Sequence, residues 1–261
     1  MPVKVYILAR PQFAEGHQAF LRDFLPEKDR NWSESDSATP AERLVEFAGR
    51  ICYMSFGARQ SPATNAEYIQ KLIRNQHESV LEHAVWSLLI SGVSRAFTHQ
   101  LVRHRVGFSF SQLSQQYHDE SNAKFIKPSG IEQTPELVSL WEQAIRNSQA
   151  TYREILGALE ASADHTHSKR RRELTRMIRS IARSVLPNAM ETVIVATVNA
   201  RALRHFLRVR GNIIGDAEMR CVSAALLETI RPDGPALFSD FRIEHLPDGL
   251  PLVIQESTPG P

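Results

Sequence analysis

Apolar positions change period several times along the chain, and each change marks an element. Lys4 to Ala9, "KVYILA", is β-rich and predicts a first strand. Residues 26–41 are polar and turn-forming, which predicts a surface loop. "TPAERLVEFAGRICYMS" then opens on Thr39 as a helix cap with Pro40 in the first turn. Leu44, Phe47 and Ile51 fall on one face of that helix. A second helix is expected near 65–75, with Tyr68, Leu72 and Ile73 apolar.

Glu78 to His83 suits a short helix and Val85 to Ser91 a strand. Helical spacing returns from Ser94 to Arg105 through Phe97, Leu101 and Val102. Leu113–Tyr117 and Ala123–Ile126 read as short extended pieces. Long helical segments follow near 134–162 and 169–186, the second stopped by Pro187. Glu191–Asn199, "ETVIVATVN", is a strand, and Ala200–Arg210 and Ala217–Ile230 are helical. The pattern predicts a mixed α/β (α+β) fold in one piece, with helices around a small central sheet. Residues 1–246 form the domain, and 247–261 read as a loosely held tail.

Composition narrows the class. A formal charge of +2 with ordinary hydrophobic content describes a globular protein, and no apolar stretch is long enough to span a membrane. The N-terminal apolar run reads as a strand and not as a signal peptide, so a cytoplasmic protein is expected. Arginine far outnumbers lysine, which leans toward bidentate capture of phosphate or carboxylate, although genomic base composition gives the same bias. The two cysteines, Cys52 and Cys221, form no Cys-x-x-Cys pair and have no local base. They read as core residues and not as nucleophiles.

Candidate chemistry clusters in "THQLVRHRVGFSFSQLSQQY", Thr98–Tyr117. On a helix reaching Arg105, Gln100, Arg103 and His104 share a face by their i, i+3, i+4 spacing. Together they suit a polyanion, or else a solvated helix end where cations meet the dipole. Ser109, Ser111 and Ser114 offer hydroxyls to complete a phosphate shell. In "NARALRHFLRVR", Asn199, Leu203, Phe206 and Arg210 form a stripe that suits a flat heteroaromatic ligand, or an ordinary amphipathic helix. Arg179 and Arg183 are i and i+4, and Arg183, next to "SVLP", is the one expected to point inward. "HESVLEH" lacks His-Glu-x-x-His spacing, and His165 and His167 lie in a polar loop, so no metal site is expected. There is no Gly-x-Gly-x-x-Gly and no P-loop. The basic run from 169 to 183 leaves nucleic-acid binding open as a rival class, marked by steep salt dependence and no flavin.

These residues carry a resemblance. "RHRVGFSFSQLSQQY" is similar to the signature of the flavin-dependent thymidylate synthases (the ThyX family): Arg-His-Arg, seven residues, then Ser, continued as "SQLSQRY". "EFAGRICYMS", "TNAEYIQKLI", "HESVLEHAVWSLLISGVSRAFTHQLVRHR", "ARSVLPNAMETVIVATVNARALRHFLRVR" and "DAEMR" follow in family order over most of residues 3–245. The resemblance implies C5 methylation of dUMP, with methylenetetrahydrofolate as carbon donor and NADPH as reductant through bound FAD. It implies FAD contacts from Ser79, Glu82, Arg103, His104, Arg105, Asn199, Arg201 and His205. Substrate contacts would come from Gln100, Gln112, Ser114, Gln116, Arg183 and Arg210. Within that set, Arg183 and Ser114 would take the phosphate, and Arg210 the uracil edge. His104 and Arg210 are the expected catalytic pair, and the implied assembly is a homotetramer with shared active sites.

The chain departs from the family at the nucleotide side. Eight residues, Val106–Leu113, separate Arg105 from Ser114, one more than usual, and Gly107 makes the added kink tolerable. Gln116 stands where the family has an arginine. Ile214 stands where it commonly has a histidine. These changes raise UMP as an alternative substrate. A flavoprotein that only oxidises NADPH is a third reading.

Overall fold

The fold is that of a computed structural model, which describes residues 3–35, 37–62, 64–163 and 171–256. The strands and helices, in chain order, are β1 (Lys4–Ala9), α1 (Gly16–Phe24), α2 (Pro40–Tyr53), α3 (Asn65–Arg74), β2 (Val85–Ser94), α4 (Arg95–Leu101) and β3 (Phe108–Gln112). They continue with α5 (Ser129–Glu132), α6 (Pro135–Ser162), α7 (Arg171–Ala182), β4 (Glu191–Asn199), α8 (Ala200–Arg210), α9 (Ala217–Ile230), β5 (Phe241–His245) and β6 (Pro251–Gln255). A 3-10 helix covers Glu78–His83. One sheet has strand order β1-β2-β4-β3 and the other pairs β5 with β6. The mixed α/β class expected from periodicity is therefore the observed one.

Contacts divide the chain into two compact units. One holds Ile90–Arg103 and Ser111–Ile194, and the other holds Val5–Leu89, His104–Phe110 and the residues from Val195 onward. The boundaries fall within β1, whose Lys4 belongs to the first unit, within β2, β3 and β4, and between Arg103 and His104.

In the first unit, Ser94 caps α4, its Oγ accepting from Phe97 N at 3.1 Å. The long α6 packs on α7 through Tyr152, Leu156, Ile178 and Ala182, with Leu174, Val185 and Leu186 closing the edges. α4 stops at Leu101, so the expected helix to Arg105 is four residues too long. The extended piece expected at 113–117 lies earlier, as β3, where Phe108 and Phe110 alternate inward. Residues 115–117 form a turn.

In the second unit, α2 has the expected Thr39 cap as a full capping box, with Glu42 answering from N3. Its fully buried face is not the apolar one, however. Ala41, Glu42, Val45, Glu46, Gly49 and Arg50 are buried, while Phe47 and Ile51 pack from the side on a cluster of Leu21, Leu25, Trp32 and Phe56. Glu46 and Arg50 pair with one another, while the Glu42 carboxylate accepts from the backbone N–H groups of Thr39 and Ala236. Arg50 Nε donates to Glu46 Oε1 at 2.6 Å, its Nη atoms donate to the Ser55 and Pro62 carbonyls, and its guanidinium lies over the Tyr68 ring. Burial pushes the Tyr68 hydroxyl up to about 12.

The expected loose tail is corrected as well. β6 pairs antiparallel with β5 in register Phe241↔Gln255 to His245↔Pro251, and Leu252 and Val253 are buried. Two apolar side chains and a full ladder of hydrogen bonds hold this segment down. Residues 257–261, His165 and His167 lie outside the described residues.

Candidate functional site

In the first unit, the polar residues gather around the turn Ser114–Tyr117. Ser114 Oγ accepts from Gln116 N at 3.3 Å, a local Ser turn. Gln112 Nε2 donates to Thr98 Oγ1 at 3.0 Å and Thr192 Oγ1 at 3.3 Å, so its amide satisfies two buried hydroxyls. Arg95 Nη2 donates to Leu113 O at 2.8 Å, and Arg179 Nη1 donates to Tyr117 O. Burial holds the Arg95 guanidinium below its ordinary pKa; Glu120 opposes that shift and Arg183 adds to it. Arg183 is half-buried, and so is Arg179, so burial does not single out Arg183 as the inward member of the pair. Gln100 and Arg103 are exposed, joined only by a backbone bond from Arg103 N to Gln100 O at 3.3 Å. The helical face they were expected to share with His104 does not form, because α4 ends before them.

Arg95, Arg176 and Glu120 were not foreseen. Arg95 is the first residue of α4, and nothing in its spacing marks it. Arg176 shares a stripe with Ser180 and Arg183, an i, i+4, i+7 pattern that the surrounding basic run obscures.

In the second unit, His104 and Arg210 meet. Arg210 Nε donates to His104 Nε2 at 3.1 Å, and the His104 ring stands edge-on to Phe206 at 5.1 Å and 6.0 Å from His205. Burial, then the Arg210 and His205 charges, hold His104 below the usual imidazole pKa. Asn199 caps α8, its Oδ1 accepting from Ala202 N at 2.8 Å. Gly107 closes on it. Gly107 has φ +74°, its carbonyl accepts from Asn199 N, and a Cβ there would lie 2.7 Å from Asn199 Nδ2 and from Ala202 Cβ. Gly107, within the lengthened loop, is therefore seated against the start of α8, while Val106 stands out into solvent. Arg201 donates to Glu82 Oε1 at 2.6 Å and lies 4.0 Å from Glu78, next to exposed Ser79. Arg105 and His205 are exposed, and His205 Nδ1 lies 3.1 Å from Arg208 Nη2.

The comparisons with known proteins bear on the same residues. Positions 36–236 match the family model described as "Thymidylate synthase complementing protein". The flavin-dependent thymidylate synthase of Mycobacterium avium (strain 104) is 46% identical over 230 residues, covering 87% of this chain and 89% of the relative. The chain belongs to the flavin-dependent thymidylate synthase family. Two further proteins of that name agree. The one from Mycolicibacterium gilvum (strain PYR-GCK) is 43% identical over 95% of this chain and 93% of its own, and the one from Mycobacteroides abscessus is 41% identical over 97% and 96%.

For a member of the flavin-dependent thymidylate synthase family, the thiols matter by what they lack. Cys52 is exposed on α2 and not a core residue as expected; its Sγ donates to Ala48 O. Burial raises the Cys221 thiol, the reverse of what a nucleophile needs. Of the two readings of the stripe on α8, the ordinary amphipathic helix is the one observed. Leu203 and Phe206 are buried in the core, so only its two ends, Asn199 and Arg210, can meet a ligand. Among the described residues no group of three or more His, Cys, Asp or Glu could hold a metal ion, and no helix is long and apolar enough to cross a membrane.

Proposed function

We propose that this chain methylates C5 of a uridine 5′-monophosphate, converting dUMP to dTMP, with methylenetetrahydrofolate as carbon donor and NADPH as reductant through FAD. The observation that carries the reading is the pairing of Arg210 with a neutral His104 inside the Arg-His-Arg signature of a chain with that family membership.

The second unit's donors fit a flavin dinucleotide. Arg105, Arg201 and His205 are exposed, and an exposed Ser79 hydroxyl and Glu82 complete a polar set suited to pyrophosphate and ribose. Bound FAD supplies hydride transfer between NADPH and the one-carbon unit. By the family resemblance, Ser79, Glu82, Arg103, Arg105, Asn199, Arg201 and His205 would hold it.

The chain's own contribution is positioning and charge. Arg210 at the uracil edge stabilises negative charge that develops on the base as C5 becomes the attacking carbon. A neutral His104 accepts from Arg210 Nε, so it orients that guanidinium without cancelling its charge. Arg183 and Ser114 take the phosphate, with Gln100 and Gln112 beside the nucleotide. The enzyme works as a cytoplasmic homotetramer with active sites shared between subunits. A second reading, UMP as substrate, is favoured by Gln116, the added loop residue and exposed Ile214. The test supplies dUMP and UMP separately with methylenetetrahydrofolate and NADPH. Methylation of dUMP with UMP inert selects the first reading; the converse selects the second. A protein that neither carries nor binds FAD would defeat both.

A further inference from the structure

The turn Ser114–Tyr117 is tied to α7 by polar contacts, and Gln116 uses both ends of its carboxamide to make them. Its Nε2 donates to Ser180 Oγ at 3.1 Å, and its Oε1 accepts from Arg176 Nε at 2.9 Å. A guanidinium has no acceptor, so the carboxamide oxygen must face Arg176, which fixes the orientation of the amide. Arg176 and Ser180 fall at i and i+4, so the carboxamide grips one face of α7.

Arg179, also on α7, holds the Tyr117 carbonyl, and Arg95 holds that of Leu113. The Nε atoms of Arg95 and Arg179 are buried with no partner among the described residues. The opposing acids are accounted for. Asp119 is occupied by Ser121 and Tyr152, and Glu120 is buried with one oxygen unpaired. Glu173 is mostly exposed and stands 3.6 Å from Arg176 Nη1, a surface pair of little strength.

A guanidinium held through Nε keeps its Nη pair for another oxyanion, in the fork geometry that matches phosphate. Gln116 is neutral, so it orients this cation without cancelling it, which a carboxylate at the same place would do. We infer that Gln116 is a positioning residue for Arg176, and that Arg176 is the cation α7 presents to the nucleotide 5′-phosphate at this turn. The inference rests on the uridylate reading above and assigns the phosphate a contact outside the expected site residues.

The test measures binding of dUMP and of deoxyuridine, which lacks the phosphate, to the FAD-loaded protein. Arg176→Ala should weaken dUMP about 10- to 100-fold, the loss of one charge-assisted contact, and leave deoxyuridine within twofold. Gln116→Leu should weaken dUMP in the same direction. The double variant should be no weaker than Arg176→Ala alone. Gln116→Arg in the Arg176→Ala background should restore most of the loss. Unchanged dUMP binding in Arg176→Ala, equal losses for dUMP and deoxyuridine, or additive losses in the double variant would each overturn the inference. Wild-type protein that holds FAD but binds neither dUMP nor UMP would overturn the uridylate reading with it. Tight dUMP binding untouched by Arg176→Ala removes this inference alone.

Discussion

His104 Nε2 accepts the Nε proton of Arg210 at 3.1 Å across 106 positions of chain. The bond has a direction: arginine cannot accept, so His104 is neutral at Nε2 and carries its proton on Nδ1. The imidazole is a fixed acceptor rather than a charge.

This sets the pH behaviour. The folded-state pKa of His104 lies below the unfolded value of about 6.5. Over that interval the folded protein binds fewer protons than the unfolded chain, so the stability carried by this group is full above 6.5 and is lost as pH falls toward the folded value. An NMR titration should place the His104 midpoint below 6.5 in the wild type. Removing the neighbouring cation in Arg210→Gln should move it upward. A midpoint that stays put in that variant would show that Arg210 is not the partner.

Gly107→Ala should destabilise the second unit. Left-handed φ costs an L-residue about 1–2 kcal/mol, and the added Cβ meets Asn199 and Ala202 at 2.7 Å. A loss of at least about 2 kcal/mol by denaturant titration is expected, together with weakened FAD retention. Asn199→Ala, which removes the cap without straining the backbone, should cost the apoprotein about 1 kcal/mol.

Much of this was legible in advance. β1, β4, α8 and α9 fall at the boundaries their periodicity predicted, and the cap and helix of α2 were readable from "TPAE". What escaped was non-local. β6 gains its order from pairing with β5, a partner that no period within "PLVIQ" reveals, and Pro247 and Gly249 before it look like a loosening chain. The buried face of α2 escaped because apolar counting cannot credit Glu46 and Arg50 with cancelling each other. The same blindness hid Arg95 and Arg176, whose partners lie 18 and 60 positions away. His104 was legible from the Arg-His-Arg signature, and Asn199 and Arg210 from the block "NARALRHFLRVR", although α4, the helix expected to carry His104, ends at Leu101.

The Arg50–Glu46 pair gives a stability test. Arg50 is fully buried, and Arg50→Ala strands Glu46, which also accepts from Asn65 Nδ2 at 2.7 Å. The expected cost is about 3–5 kcal/mol. The double change Arg50→Met with Glu46→Leu should recover much of it by packing. Equal damage in both would place the cost in shape and not in charge.

Arg201 should separate binding from folding. It is half-exposed and its pair with Glu82 is worth less than about 1 kcal/mol to the fold. Arg201→Ala should leave thermal unfolding of the apoprotein nearly unchanged while raising the Kd for FAD severalfold, read by flavin fluorescence. An equal drop in both would make the residue structural.

The hydrogen bond from Arg176 to Gln116 has a consequence for descent. Two positions sixty residues apart carry one cation between them, so they form a single heritable unit. A drift at 116 that drops the carboxamide removes the acceptor that orients Arg176, and a drift at 176 leaves the Gln116 carboxamide oxygen without its cation while its amide still holds Ser180. A lineage can cross from one arrangement to the other only while both guanidinium positions are briefly occupied. That makes the Gln116→Arg variant, with Arg176 retained, the natural stepping stone.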